Sequence, residues 1–449
     1  MAIQKDVLNG RSVQIDSQLT FLTNGIALTT EFGNLEAIAK IDGVKRVFLV
    51  PYYYPAEVDK TVSITKPFTV SSGEMSGVPT VWEDCGFTGS GMTIAILDTG
   101  LDTDHPSFAE ENFAVDTSDE NWKGWKPADV EAVLPTLKAA EVYQETNGVA
   151  LTVSDLYLST KVPFAFNYGS NNLYVGHADG SGDHGTHVAG IAAANAVDGT
   201  GVVGMAPDAQ LFVMKVFSAS GGANTVDIIE ALTDCLTLGV DVVNMSLGSP
   251  AGFSDAATDW VDEIYARIAE TEVVVNIAAG NEAVSSYYNN WGTHTNPTTA
   301  PDNATVASPS TYANVNSIAS VDNSAVVSTA IIIDGQTYMY NDGKYLNVTM
   351  AGVFGNNEEL EYVIVPGVGT ADDFATVNVT GKVAVVNRGE ISFVEKMQNA
   401  EANGAIALVV VNNVEGSVSN FGMSFAGADG STLDPAVTGN TPAILVSMK

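Results

Sequence analysis

Cysteine is almost absent from this sequence: Cys85 and Cys235 are the two among 449 residues. So few cannot form the disulfide framework of a small stapled scaffold. Basic residues are also scarce, 18 Lys and Arg against 53 Asp and Glu, and the net charge is −35. A field of that sign repels phosphate backbones and anionic lipid, so neither nucleic acid nor a membrane surface is an expected partner. No run of about eighteen apolar residues occurs, and no transmembrane helix is expected. The opening residues Met1 to Asp6 lack the apolar stretch of a secretory signal. What is present is 45% hydrophobic and 16% charged, enough apolar material for a large core. At roughly 150 residues per domain the length suggests two to four domains.

Along the chain the character changes three times. Residues 12–31 alternate as strands do, Asn34 stands where it would cap a short helix at Leu35–Lys40, and Val44 to Val50 reads as a further strand. These form a small α+β unit. From Pro55 to about Pro79 the polar, Ser/Thr/Gly-rich composition reads as a linker. Four nearly continuous apolar runs follow, Thr93–Leu97, Leu211–Phe217, Val240–Met245 and Glu272–Ala278, as expected of buried parallel strands. Helical patterns alternate with them. One runs through Ile228, Ile229, Leu232, Cys235 and Leu236 to Gly239, and another lines Trp260, Val261, Ile264, Tyr265 and Ile268 from near Ser254. Strand–helix alternation implies an α/β fold whose parallel sheet is covered on both faces. An acidic, Trp-containing stretch at 109–176 reads as a surface insertion. After about Asp322 the chain is β-rich, with one helix signalled by Ser392 and Glu395 and stopped at Gly404.

Three motifs carry candidate chemistry. Ile94 to Gly100 is a buried strand ending in Asp98 and a glycine, and strand ends border the functional crevice of open α/β sheets. His184-Gly185-Thr186-His187-Val188-Ala189-Gly190 leads into the small-residue stretch Ile191–Val197, predicted to be helical. Two histidines three apart share a helix face, which raises a metal reading with no clear third ligand. Val273 to Glu282 is a strand closing on Ala278-Ala279-Gly280-Asn281, where an amide could donate to a developing oxyanion.

Together, and in this order, the motifs resemble the subtilisin-like serine proteases. The resemblance implies that Asp98 is the triad acid, His184 the base and Asn281 the oxyanion donor. It implies that Ser220, Gly221 and Gly222 line one edge of a substrate cleft, with Ser246, Leu247, Gly248, Ala279 and Gly280 around the first specificity pocket. It covers most of 15–57, 79–324 and 376–446. Gly204-Met205-Ala206-Pro207 matches the segment after the histidine helix, and His187 becomes a packing residue. The implied architecture is a partial α+β propeptide at 1–57, a linker at 58–78, a parallel-sheet catalytic domain at 79–324 and a β-rich protease-associated domain at 325–449. Gly381 to Gly389, with Ser392-Phe393, carries the last part of that resemblance. Phe164-Ala165-Phe166-Asn167-Tyr168 is similar to the large cell-envelope members of the family.

The family's serine, in Gly-Thr-Ser-x-Ala after the oxyanion segment, is missing. Gly180-Ser181-Gly182 and Gly430-Ser431-Thr432 are the nearest strings, and neither opens an apolar helix. The resemblance therefore implies a chain cut short at both ends and without peptidase activity as it stands. Its partners would be protein or peptide substrates and its own propeptide as an intramolecular inhibitor, with secretion or surface attachment by family. No cofactor is required for catalysis. Structural calcium is compatible with carboxylates such as Asp102, Asp104, Glu110 and Glu111, whose convergence the sequence does not establish. Gly248 and Gly280 suggest a pocket with low walls and a preference for large apolar side chains. The alternatives are a pseudoprotease binding module and a metal hydrolase built on Asp98, His184 and His187.

Overall fold

The structure, a computed structural model, describes residues 13–55, 69–197, 203–218, 221–249, 259–281, 305–321, 329–355, 358–415, 423–426 and 432–448. The chain divides into two compact units, Met1–Val58 with Pro67–Ala325, and Asp59–Lys66 with Val326–Lys449.

In the first unit, β1 (Gln14–Leu19) and β2 (Gly25–Thr29) pair antiparallel, and helix α1 (Leu35–Ala39) follows. Asn34 does not cap that helix. Its own backbone is helical, and its Nδ2 donates to Thr30 Oγ1 at 2.8 Å. The strand expected at Val44–Val50 does not form. A strand requires a ladder partner, and this apolar run meets none among the described residues; instead Phe48 stacks on Trp260 with ring centroids 5.7 Å apart. The next ladder comes later, at β3 (Tyr52–Pro55). The stretch read as a linker also holds structure. Residues 56–68 lie outside the described residues, but α2 (Thr69–Ser76) and α3 (Val78–Cys85) are helical, the second with Pro79 in its first turn.

The parallel sheet begins with β4 (Thr93–Asp98). Helices α4 (Pro127–Val133), α5 (Lys138–Asn147) and α6 (Val153–Leu156) precede β5 (Phe164–Asn167) and α7 (His184–Ala193). Then come β6 (Gln210–Lys215), the short β7 (Ala223–Asn224), α8 (Thr225–Thr237), β8 (Val242–Met245), the short β9 (Leu247–Gly248), α9 (Asp259–Ile268), β10 (Val274–Ala278) and β11 (Asn316–Ile318). The sheet order is β11-β10-β8-β4-β6-β5, and every pair is parallel. Each strand sends alternate side chains to opposite faces. Leu97, Phe212 and Met214 join the core beneath α8 and α9, whereas Ile96, Leu211 and Val213 pack with Ala189 and Ala193 of α7.

Two expectations change here. Residues 109–176 are not simply a surface insertion: β5 completes the sheet edge, and Phe164, Phe166 and Tyr168 are fully buried. Four aromatic and small residues in a row satisfy a strand covered on both faces, which a solvated loop could not tolerate. The helix after His184 ends at Ala193, so 194–197 are not helical; Gly204 packs its backbone against Ala193 and Ala194. Both cysteines are free, Cys235 buried and Cys85 exposed.

The second unit carries its own six-stranded sheet. A hairpin of β12 (Ala330–Ile333) and β13 (Gln336–Asp342) turns through Asp334 and Gly335, both at positive φ. After α10 (Met350–Phe354), β14 (Tyr362–Ile364), α11 (Ala371–Phe374), β15 (Val383–Asn387), α12 (Phe393–Ala402), β16 (Ala407–Glu415) and β17 (Ala443–Met448), the order is β12-β13-β17-β16-β15-β14. The predicted helix is α12. The Ser392 hydroxyl accepts from Glu395 N at 3.1 Å, and Gly404 follows at φ +75°.

Candidate active site

Because β4, β8 and β10 are parallel neighbours, their carboxyl ends share one edge of the sheet. Asp98 closes β4 there with its side chain fully buried, and His184 opens α7 with 14% of its side chain exposed. Oδ1 of Asp98 lies 2.8 Å from His184 Nδ1 and accepts from Thr99 N at 2.7 Å. Asp98 Oδ2 is buried and has no hydrogen-bond partner among the described residues. A carboxylate against Nδ1 selects the tautomer protonated there and leaves Nε2 as the accepting nitrogen.

Two glycines make this approach feasible. A Cβ on Gly185 would lie 2.3 Å from Gly100 O and 3.2 Å from Asp98 Cβ. One on Gly100, itself at φ +111°, would lie 2.0 Å from Val175 O. Thr99 ties the two motifs together. Its Oγ1 donates to Gly182 O at 3.1 Å and accepts from Gly185 N at 2.8 Å.

Asn281 follows β10 on the same edge and is exposed, after Ala279 and Gly280, the latter at φ +101°. Ala279 N donates to Ile318 O, and Ala307 N donates to Ala279 O, each at 2.8 Å. Ser246 is half-buried and accepts from Asn244 Nδ2 at 3.1 Å. Gly248 does not leave an open wall. A Cβ there would lie 2.9 Å from Ala307 Cβ, so its missing side chain admits the 305–308 segment. Ser220 lies outside the described residues, whereas Gly221 and Gly222 are placed just before β7.

Between these two edges lies a segment that the sequence pattern did not mark as part of the site. β3 is paired antiparallel on both sides, Tyr52 with Asn224 and Tyr53 with Ala223, then Tyr54 with Gly248 and Pro55 with Leu247. Thr225 adds two bonds to Pro51 O, from its N at 3.1 Å and its Oγ1 at 2.9 Å. Tyr52 and Tyr54 point outward and are about half exposed, while Tyr53 is only 3% exposed. Burial, together with neighbouring Tyr312, pushes the Tyr53 hydroxyl up to about 12. Three tyrosines in a row before a proline were the available signal; strand alternation turns one of them inward.

His187 is exposed. Among the described residues no group of three or more His, Cys, Asp or Glu side chains is placed to hold a metal ion.

A sequence profile of the Subtilase family matches residues 89–428. The chain belongs to that family. Curated relatives include the PII-type proteinase of Lacticaseibacillus paracasei, 29% identical over 408 residues, covering 88% of this chain and 19% of that protein. The minor extracellular protease Vpr of Bacillus subtilis is 30% identical over 430 residues, covering 92% and 43% respectively. The C5a peptidase of Streptococcus pyogenes serotype M1 is 26% identical over 368 residues, covering 80% and 28%. The chain thus spans less than half the length of each of these relatives.

Proposed function

We propose that this chain supplies the acid, the base and the oxyanion donor of a serine endopeptidase acting on protein or peptide segments. The observation that carries the reading is the 2.8 Å Asp98–His184 pair beside a cleft where a peptide strand is already paired on both sides. Asp98 would hold the His184 tautomer and offset the charge of the imidazolium. Nε2 would take the proton of an attacking serine hydroxyl and return it to the leaving amine. Asn281 would stabilise the tetrahedral oxyanion. In subtilisin, a member of the same family, losing such a donor costs about 2.7–4 kcal/mol. None of these steps calls on a cofactor.

The segment 13–55 is read as an intramolecular inhibitor. Its β3 occupies the position of a bound peptide, with Ser17 bonded to Glu230 and Lys138 Nζ donating to Gln18 O at 3.0 Å. Secretion or surface exposure fits the reading, since the Vpr relative is named extracellular. Among the described residues no helix is long and apolar enough to cross a membrane.

These 449 residues contain no Gly-Thr-Ser-x-Ala string. Of the nearest alternatives, Ser181 shares its hydroxyl proton between Asp179 and Thr99 O and accepts from Lys215, and Ser431 lies outside the described residues. The chain alone is therefore expected not to hydrolyse peptides. A fluorophosphonate probe tests both statements. The complete gene product should be labelled, with labelling lost in His184→Ala, and the 449-residue chain should not be. Labelling of the 449-residue chain overturns the second statement. A complete product that binds peptides but is never labelled favours the pseudoprotease instead.

A further inference from the structure

Lys215 ends β6, directly across the ladder from Asp98, and its side chain is fully buried. Burying an ammonium is strongly unfavourable unless it is both paired and hydrogen-bonded. Here its three donors meet three acceptors: Gly176 O at 2.5 Å, Ser181 Oγ at 2.8 Å and Asp179 Oδ2 at 2.9 Å. The ring of Tyr174 lies 5.5 Å from Nζ, and Tyr174 hydroxyl accepts from Ala178 N at 2.9 Å. All of these partners belong to one irregular stretch, 174–181, that runs directly into His184.

That stretch has no strand or helix of its own to fix it. Burial pulls the Lys215 ammonium down while Asp179 opposes it. Burial alone would raise Asp179, yet the hydrogen bonds from Ser181 and Lys215 hold it below its usual value. The one Ser181 hydroxyl proton is shared between Asp179 Oδ1 at 2.7 Å and Thr99 O at 3.2 Å, which extends the connection to the acid motif.

We propose that Lys215 is a positioning residue for the peptidase reaction: it clamps the loop that delivers His184 to the strand beside Asp98. This inference rests on the serine endopeptidase reading above. None of the three acceptors of Lys215 belongs to β3 or to the strands β7 and β9 that pair with it, so its removal should affect proton transfer more than binding. A misplacement of about 1 Å at such a site costs on the order of 10²-fold in rate.

The test is steady-state hydrolysis of a peptide substrate by the complete gene product. Lys215→Met should lower kcat by about 10- to 100-fold with KM within about twofold, and Lys215→Arg should recover most of the loss. Asp179→Asn, at a partly exposed position, should fold normally and lower kcat by about three- to tenfold. A folded Lys215→Met enzyme with unchanged kcat, or with a raised KM alone, overturns the proposal. If that variant does not fold, an unchanged kcat in Asp179→Asn overturns it. A wild-type protein that hydrolyses nothing overturns the peptidase reading itself, and this inference with it.

Discussion

The hydroxyl of Ser17 donates to Oε1 of Glu230, joining the N-terminal hairpin to a carboxyl that is only 2% exposed on α8. Burial raises Glu230 from 4.5 to about 7, against the hydrogen bond from Ser17 and the charge of Lys138, while Asp234 and Glu141 add to the rise. Asp227, one turn earlier, is also lifted to about 7 by burial and by Glu230, and Asp234 to about 6 by burial. At these three carboxyls the folded protein binds more protons than the unfolded protein between the ordinary and raised values, and their contribution to stability falls as pH rises through that window. Melting temperatures should be higher at pH 5 than at pH 8. For Glu230 alone the difference is on the order of 3 kcal/mol at most, and Glu230→Gln should flatten the dependence. An equally steep profile in Glu230→Gln would exclude this group as its source.

On the endopeptidase reading, Asp98, whose Oδ1 lies 2.8 Å from His184 Nδ1, would hold the tautomer of that ring. Asp98→Asn keeps the volume but offers Nδ1 a donor or a neutral acceptor. It should lower kcat of the complete gene product by about 10⁴-fold, with little change in KM. Peptide hydrolysis over a range of substrate concentrations separates the two constants.

Gly185 and Gly190 lie on the same helix and should respond in opposite ways. The Cβ of Gly185→Ala would meet Gly100 O at 2.3 Å, whereas nothing lies within 4 Å of a Cβ at Gly190. The first substitution should destabilise by about 1–3 kcal/mol. The second should be neutral or stabilise by about 0.5–1 kcal/mol, since alanine loses less backbone entropy in a helix interior. Denaturant midpoints of the two variants give the comparison.

Tyr53 anchors β3 in the cleft, while Tyr52 and Tyr54 are about half exposed. Tyr53→Ala should weaken that docking by roughly 3–5 kcal/mol, as other buried aromatic truncations do. Tyr52→Ala should cost less than about 1 kcal/mol. A fluorescent peptide competing for the cleft should bind Tyr53→Ala far better than the wild type. Equal binding would mean that β3 does not control access.

The sheet and the helix α8 are legible because their signals are local. Continuous apolar runs mark strands covered on both faces, and i, i+4 spacing marks a helix with one buried face. Asp98, His184 and Asn281 are recognisable for a related reason: close backbone approach requires glycine at fixed neighbouring positions, which leaves a pattern in the residues themselves. The failures have another cause. Val44–Val50 is as apolar as a strand and is not one, while Tyr52–Pro55 becomes one, because pairing depends on which edges are near. Helices of four or five residues, such as α10 and α11, are too short to show a period.

The class of fold, the family and the candidate pair Asp98 and His184 are already written in the amino-acid order. Those depend on residue type and spacing over short stretches. Only the tertiary structure decided that 164–167 closes the sheet, that Gly248 makes room for Ala307 and that Lys215 gathers the loop before His184. It alone placed Tyr53 in the cleft and Glu230 against Ser17. Each of these joins residues separated by tens to hundreds of positions, where burial and pairing are set by the packed whole and local spacing carries no record of them.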